Sequence, residues 1–196
     1  MTALPVDYRP DDGFGWDDAV RMWEDTDAPE GCKVEIIEGI VTVAPPPANA
    51  HNLTAARLQR LLYRTLPDEW EIVQTRGLSV PDSAGLYIPD LAVVPSTALE
   101  APGNRIPAGE ARLVVEITSR DNANHDRISK VHGYAQAGVE LYLLLDPWHS
   151  GKPTATLFGE PEDSTYRVLD SVEFGRTLRI PEPFGLELDT GSFPAG

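Results

Sequence analysis

Apolar and polar positions change rhythm along this chain in a way that predicts strands alternating with helices. Residues 33–38 and 40–44 are rich in β-branched side chains and meet at Glu38-Gly39, a pairing suited to a tight hairpin turn. Pro45, Pro46 and Pro47 then force an extended stretch, and Asn49 stands where it can cap a helix running to about Leu66, just before Pro67. Leu53, Ala56, Leu58, Leu61 and Leu62 supply the apolar side of that helix, while Arg57, Arg60 and Arg64 recur at i, i+3 and i+7 on another. Strand-like runs follow at 70–80, with a bend expected at Gly77, at 86–94, and at 111–118. A second helix is predicted over 124–137, between polar Asp121-Asn122 and Gly138. Residues 140–146 are too few for a helix and nearly all apolar, as in a strand covered on both faces.

Helix, three strands, helix, strand is an α/β order, and the burial of the last strand implies helices on both sides of a mixed central sheet. Residues 1–32, rich in Asp, Pro and Gly, read as an acidic N-terminal extension with one short helix at 16–24, in which Ala19, Val20 and Trp23 share a face. Residues 33–196 read as a single domain that closes with short C-terminal strands, turned at 159–164 and near Pro181 and Pro183. A length of 196 residues allows one domain with a real core.

Two acids break the apolar pattern. Asp90 follows Tyr87-Ile88-Pro89 and precedes Leu91-Ala92-Val93-Val94, and Glu116 lies between Leu113-Val114-Val115 and Ile117, so each is expected within a buried strand. An unpaired buried carboxylate costs several kcal/mol, so such groups are paired, protonated or bound to a cation. A lone strand acid is most often an ion-pair partner, and a lone helix lysine most often surface. Here Lys130 falls on the following helix, spaced from Ile128, Val131 and Ala135 so that its ammonium can return towards the strand ends, with Tyr134 one turn later on the same face. Mg²⁺ or Mn²⁺ suits two such carboxylates, since these ions prefer oxygen ligands, with the Ile117 carbonyl as a further donor, and can activate water against a phosphodiester.

Composition narrows the picture. No apolar run approaches the roughly 20 residues of a membrane helix, and the first ten residues lack the order of a signal peptide, so a cytoplasmic location is expected. Cys32 is the one cysteine, which excludes an intrachain disulfide and a cysteine zinc cluster. The net charge of −15 argues against tight unspecific binding to nucleic acid, although residues 31–158, with fourteen acids and eleven bases, carry little of it. There is no GxSxG, Walker A, GxGxxG or HExxH motif, and His51, His125, His132 and His149 do not make a zinc spacing.

The ordered set Val34-Glu35-Ile36-Ile37-Glu38-Gly39, the proline link to His51, Tyr87-Ile88-Pro89-Asp90, Val114-Val115-Glu116-Ile117-Thr118-Ser119, Asp126 with Lys130 and Tyr134, Gly138-Val139-Glu140-Leu141-Tyr142 and Phe184-Gly185-Leu186-Glu187-Leu188 resembles the Uma-two family of the PD-(D/E)xK nuclease superfamily. The resemblance spans most of the chain. It implies a restriction-endonuclease-like αβββαβ core with Asp90 and Glu116 as metal ligands. One position departs from the superfamily pattern: Thr118 stands where the motif lysine belongs, and the resemblance then implies Lys130 as the relocated lysine. Glu35 and His51 match family positions, which implies a further acidic ligand and a base or phosphate-binding group.

The expected function is therefore a metal-dependent endonuclease acting on phosphodiester bonds, in DNA. The arginine stripe offers a phosphate contact, against the commoner reading of a solvated helix face, and edge strands in the tail leave room for a homodimer. The rival is a non-catalytic interaction module on the same fold, binding a basic protein partner, which predicts no dependence on divalent cations.

Overall fold

Proline and glycine mark many of the element boundaries in the computed structural model, which describes residues 15–120 and 123–194. The first fourteen residues of the expected extension, and the Asp121-Asn122 boundary of the second helix, lie outside the described residues. In chain order the elements are α1 (Trp16–Asp25), β1 (Lys33–Ile37), β2 (Ile40–Ala44), α2 (Asn49–Leu62), β3 (Trp70–Val73), β4 (Gly77–Val80), β5 (Gly85–Tyr87) and β6 (Leu91–Pro95). They continue as β7 (Arg105–Pro107), β8 (Leu113–Ile117), α3 (Lys130–Gln136), β9 (Leu141–Asp146), β10 (Thr154–Glu162), β11 (Thr165–Glu173), β12 (Thr177–Ile180) and β13 (Leu186–Asp189). No helix among them is long and apolar enough to cross a membrane.

Six strands form the central sheet, in the order β11-β10-β9-β8-β6-β3. Only β8 and β9 run parallel, so the sheet is mixed, and α2, β3, β6, β8, α3 and β9 form the expected αβββαβ core. Period two divides its residues between two faces. Leu91, Val93, Leu113, Val115, Leu143 and Leu145 meet Leu58 and Leu62 of α2, and Leu178, Ile180, Leu186 and Leu188 of the β12–β13 pair close that side. Ala92, Val94, Val114, Tyr142 and Leu144 face the other way, towards Tyr134 and Val139 and the second sheet, whose order is β2-β1-β5-β4-β7.

The hairpin turns as expected at Glu38 and Gly39, whose φ values of 53° and 79° suit a tight two-residue connection. α1 lays Ala19, Val20 and Trp23 over Ile36 and Leu86. Gly133 is required by close approach, because a Cβ there would stand 2.4 Å from the Tyr87 hydroxyl.

Four expectations need correction. The runs 70–80 and 86–94 are not single strands: β3 and β6 belong to the six-stranded sheet, β4 and β5 to the other. Pro89 cannot donate to a ladder, which breaks the second run and leaves Asp90 at the crossing, ahead of β6. α2 begins at Asn49, with Ala48 at its cap position, and ends at Leu62. Its buried line is Thr54, Ala55, Leu58 and Leu62, while Leu53 is 43% exposed, because the helix is rotated to bring His51 and Thr54 to the site. The second helix opens with a wide π-helical turn, His125–Ser129, before α3, and Ile128 is exposed. The tail is a long hairpin of two nine-residue strands turned at Asp163 and Ser164, both at positive φ; Gly159 stays within β10, where a side chain would strike Leu169.

Candidate active site

Alternation along β1 sends Lys33, Glu35 and Ile37 to the side away from α1, and alternation along β8 puts Glu116 on the Val114 face. Asp126, Lys130 and Tyr134 recur every four residues and line up towards both strands. The Lys130 ammonium therefore meets three acids: it lies 3.0 Å from Glu35 Oε1, 3.1 Å from Glu116 Oε1 and 3.2 Å from Asp126 Oδ1. The Tyr134 hydroxyl donates to Glu116 Oε1 at 3.0 Å, and the Ile88 backbone N–H donates to Glu35 Oε1 at 2.7 Å.

Asp90 joins from the crossing between the sheets. Its backbone N–H donates to the Val115 carbonyl at 3.2 Å, and its Oδ2 accepts from the Ile117 N–H at 2.7 Å, which pins it beside β8. Oδ1 takes the Lys33 ammonium at 2.5 Å and lies 2.9 Å from His51 Nε2. The two halves line one cleft of about 310 Å³.

Charge is unbalanced here. Glu35, Asp90, Glu116 and Asp126 are four buried carboxyl groups with two ammonium groups, Lys33 and Lys130, between them. Fully ionised and with His51 neutral, the group is two positive charges short. Burial, reinforced by Asp126 and Asp90 and opposed by Lys130 and Lys33, pushes Glu116 up to about 8. Burial also raises Asp126, against the pull of Lys130. At Asp90 burial is outweighed by Lys33 and His51, which hold the carboxyl well below the usual carboxylate range. Lys130 goes well above the ordinary lysine value: burial opposes its charge, but Glu116, Glu35 and Asp126 overcome that. Protons and carboxylates are thus shared, and the group holds a proton near neutral pH.

A hard divalent cation fits this donor set in chemistry and in charge. All the candidate ligands are carboxylate oxygens, and the deficit equals the charge of one such ion. The cage is not preformed: among the described residues no three Asp, Glu, His or Cys groups converge as a ready metal site. Lys33 and Lys130 are paired with these oxygens.

The expected residues divide clearly. Asp90, Glu116, Lys130, Glu35, His51 and Tyr134 come together. Thr118 lines the same cleft, but its hydroxyl donates to Asp146 Oδ1 at 2.7 Å. Ile117, expected to offer its carbonyl, contributes its N–H to Asp90. Arg57 donates to the Ser192 carbonyl, Arg60 and Arg64 are exposed, and none of the three lines the cleft. His125 and His132 are exposed and also stand outside it. Lys33 and Asp126 belong to the site and were not among the expected site residues. Each had a signal: Lys33 shares a strand face with Glu35, and Asp126 precedes Lys130 by one helical turn.

Comparison with known proteins agrees with this architecture. The Uma2 family, described as "Putative restriction endonuclease", matches residues 16–191. Among solved structures, the chain resembles the crystal structure of "a putative nuclease belonging to DUF820" from Anabaena variabilis, with a TM-score of 0.67 and 17% identity over 91% of this chain and 96% of that one. At that identity the likeness carries the fold. No curated protein matches.

Proposed function

Since its match over residues 16–191 makes this chain a member of the Uma2 family, we propose that it is a nuclease that hydrolyses phosphodiester bonds in DNA with Mg²⁺ or Mn²⁺. The observation that carries this reading is the convergence of Lys130 with Glu35, Glu116 and Asp126 at 3.0–3.2 Å in a cleft that Asp90 enters from the other side.

Asp90, Glu116 and Glu35 are the oxygens that would hold the ion. Bound there, it would neutralise phosphate charge and acidify a water. The remaining work falls to the chain's own groups. Lys130 is held against Glu35, Glu116 and Asp126, and a carboxylate drawn to the ion would free one of its three N–H donors for the attacking water. Asp90 orients the His51 imidazole through Nε2 and leaves Nδ1 to accept the water's proton. Tyr134 restrains Glu116 through Oε1. The same fold without hydrolysis, an interaction module, gives no reason to bury more carboxylates than cations at a cleft.

Nicking of supercoiled plasmid tests the reading. Wild-type protein should nick with Mg²⁺ or Mn²⁺, while Glu116→Gln and Lys130→Ala should lose at least about a hundredfold in rate. Activity that survives in both variants removes the mechanism. A divalent ion should also raise the unfolding temperature of the wild type, an effect lost in Asp90→Asn.

A further inference from the structure

Asp146 is a buried acid that the hydrolytic reading does not use. Its carboxylate accepts two bonds from Arg127, both at 2.8 Å, one from the Thr118 hydroxyl and one from the Trp148 backbone N–H at 3.1 Å. It therefore clamps the segment that leaves β9 and fixes the start of Trp148. Trp148 lines the cleft, and the exposed Arg120 lays its guanidinium over the indole, 4.7 Å from the ring centre. Pro45, Pro46, Pro47 and Pro194 give the same cleft an apolar wall that no acid chemistry requires.

We propose that Trp148 is a stacking platform for one unpaired base and Arg120 its phosphate contact, so that the substrate is a single strand rather than a duplex. The inference rests on the nuclease reading above and names its substrate class. Charge is the first argument. A duplex is gripped through many phosphates, yet the chain carries −15, and the expected arginine stripe is away from the cleft. Of the cations lining the cleft, Lys33 and Lys130 are held by carboxylates, whereas Arg120 is exposed and rests on the Trp148 ring. Affinity must then come mainly from the base, and an aromatic face supplies it for any base. The second argument is the occupant already present: a planar cation covers the ring where a base would stack. An exposed cation–π contact is weaker than base stacking on an aromatic face, so an incoming nucleotide takes the ring and gives Arg120 a phosphate oxygen instead.

Fluorescence anisotropy with labelled oligo-dT, oligo-rU and a dT·dA duplex tests this in full-length Glu116→Gln protein with Mg²⁺ present. Oligo-dT should bind at least about tenfold more tightly than the duplex. Adding Trp148→Ala should weaken strand binding about tenfold, Trp148→Phe should retain most of it, and Arg120→Ala should weaken it less and reduce its salt dependence. Equal binding of oligo-rU would support the platform and widen the substrate to RNA. Duplex binding as tight as strand binding, strand affinity unchanged in both Trp148 variants, or no binding of any of the three would overturn it. Cleavage that needs Glu116 and Lys130 but ignores Trp148 sinks this inference alone. Trp148-dependent strand binding by a protein that never cleaves sinks the hydrolytic reading alone.

Discussion

Glu116 and Asp146 are each 2% exposed and sit on the adjacent parallel strands β8 and β9, yet they are held in opposite states. Burial acts against the charge of both. At Asp146 it is outweighed by Arg127 and Thr118, with the Trp148 N–H adding to them, and the carboxyl stays below its ordinary value. At Glu116 one ammonium is shared with two further acids, and the carboxyl is raised. Both side chains are closed to water, but Asp146 lies nearer the surface and has the richer supply of donors and positive charge, and the two differences together separate an ion-paired structural acid from one whose charge is unmet.

The largest expected effect is at the shared ammonium. Lys130→Met leaves three buried carboxyl groups without their cation and should lower stability by about 3–5 kcal/mol in urea unfolding. A variant as stable as wild type would erase the contrast. Asp146→Asn should cost less, about 2 kcal/mol, because Arg127 is partly open to water and keeps a neutral acceptor. Glu116→Gln should go the other way and stabilise the metal-free protein by up to about 1 kcal/mol while abolishing cleavage. If Glu116→Gln and Asp146→Asn shift the unfolding midpoint in the same direction, the two acids are not different in kind.

The mildest effect is a slope with pH. Glu116 in the folded protein, at about 8, keeps a proton that the unfolded chain loses near 4.5, so stability of the metal-free protein should fall as pH rises between those values. Asp90 acts oppositely: held below its ordinary 3.8, it contributes stability above that pH and loses it as the medium becomes more acid. Thermal unfolding across pH 3 to 9 should trace a dome, displaced by roughly a few degrees on the alkaline side. Glu116→Gln should flatten the alkaline limb alone, and so should a bound divalent ion, which replaces the proton.

Local chemistry was readable where one rule acted alone. Glu38-Gly39 could only be a tight turn, residues 140–146 had the composition of a strand covered on both faces, and Lys130 stood one helical turn from two polar family positions. The sequence hid decisions made between elements. The runs 70–80 and 86–94 carry strand-forming residues on both sides of their interruptions at Gln74-Thr75-Arg76 and Pro89-Asp90, and two adjacent sheets accept such strands equally well, so nothing local shows that each run divides between them. Leu53 and Leu58 are alike in sequence; only docking of α2 against β8 exposes one and buries the other. Asp126 was legible one helical turn before Lys130, whereas Lys33 showed only its shared strand face with Glu35, because its partner Asp90 lies 57 positions away and a single sequence carries no sign of that pairing.

The stretch Ile88-Pro89-Asp90 leaves one sheet and enters the other, with the Ile88 N–H on Glu35 and the Asp90 carboxylate on the Ile117 N–H. Those bonds rivet the two layers together at the spot where the reactive groups meet. A half-made copy of the chain, with either layer missing, therefore lacks this cluster, and any chemistry proposed for it arrives only with the finished fold.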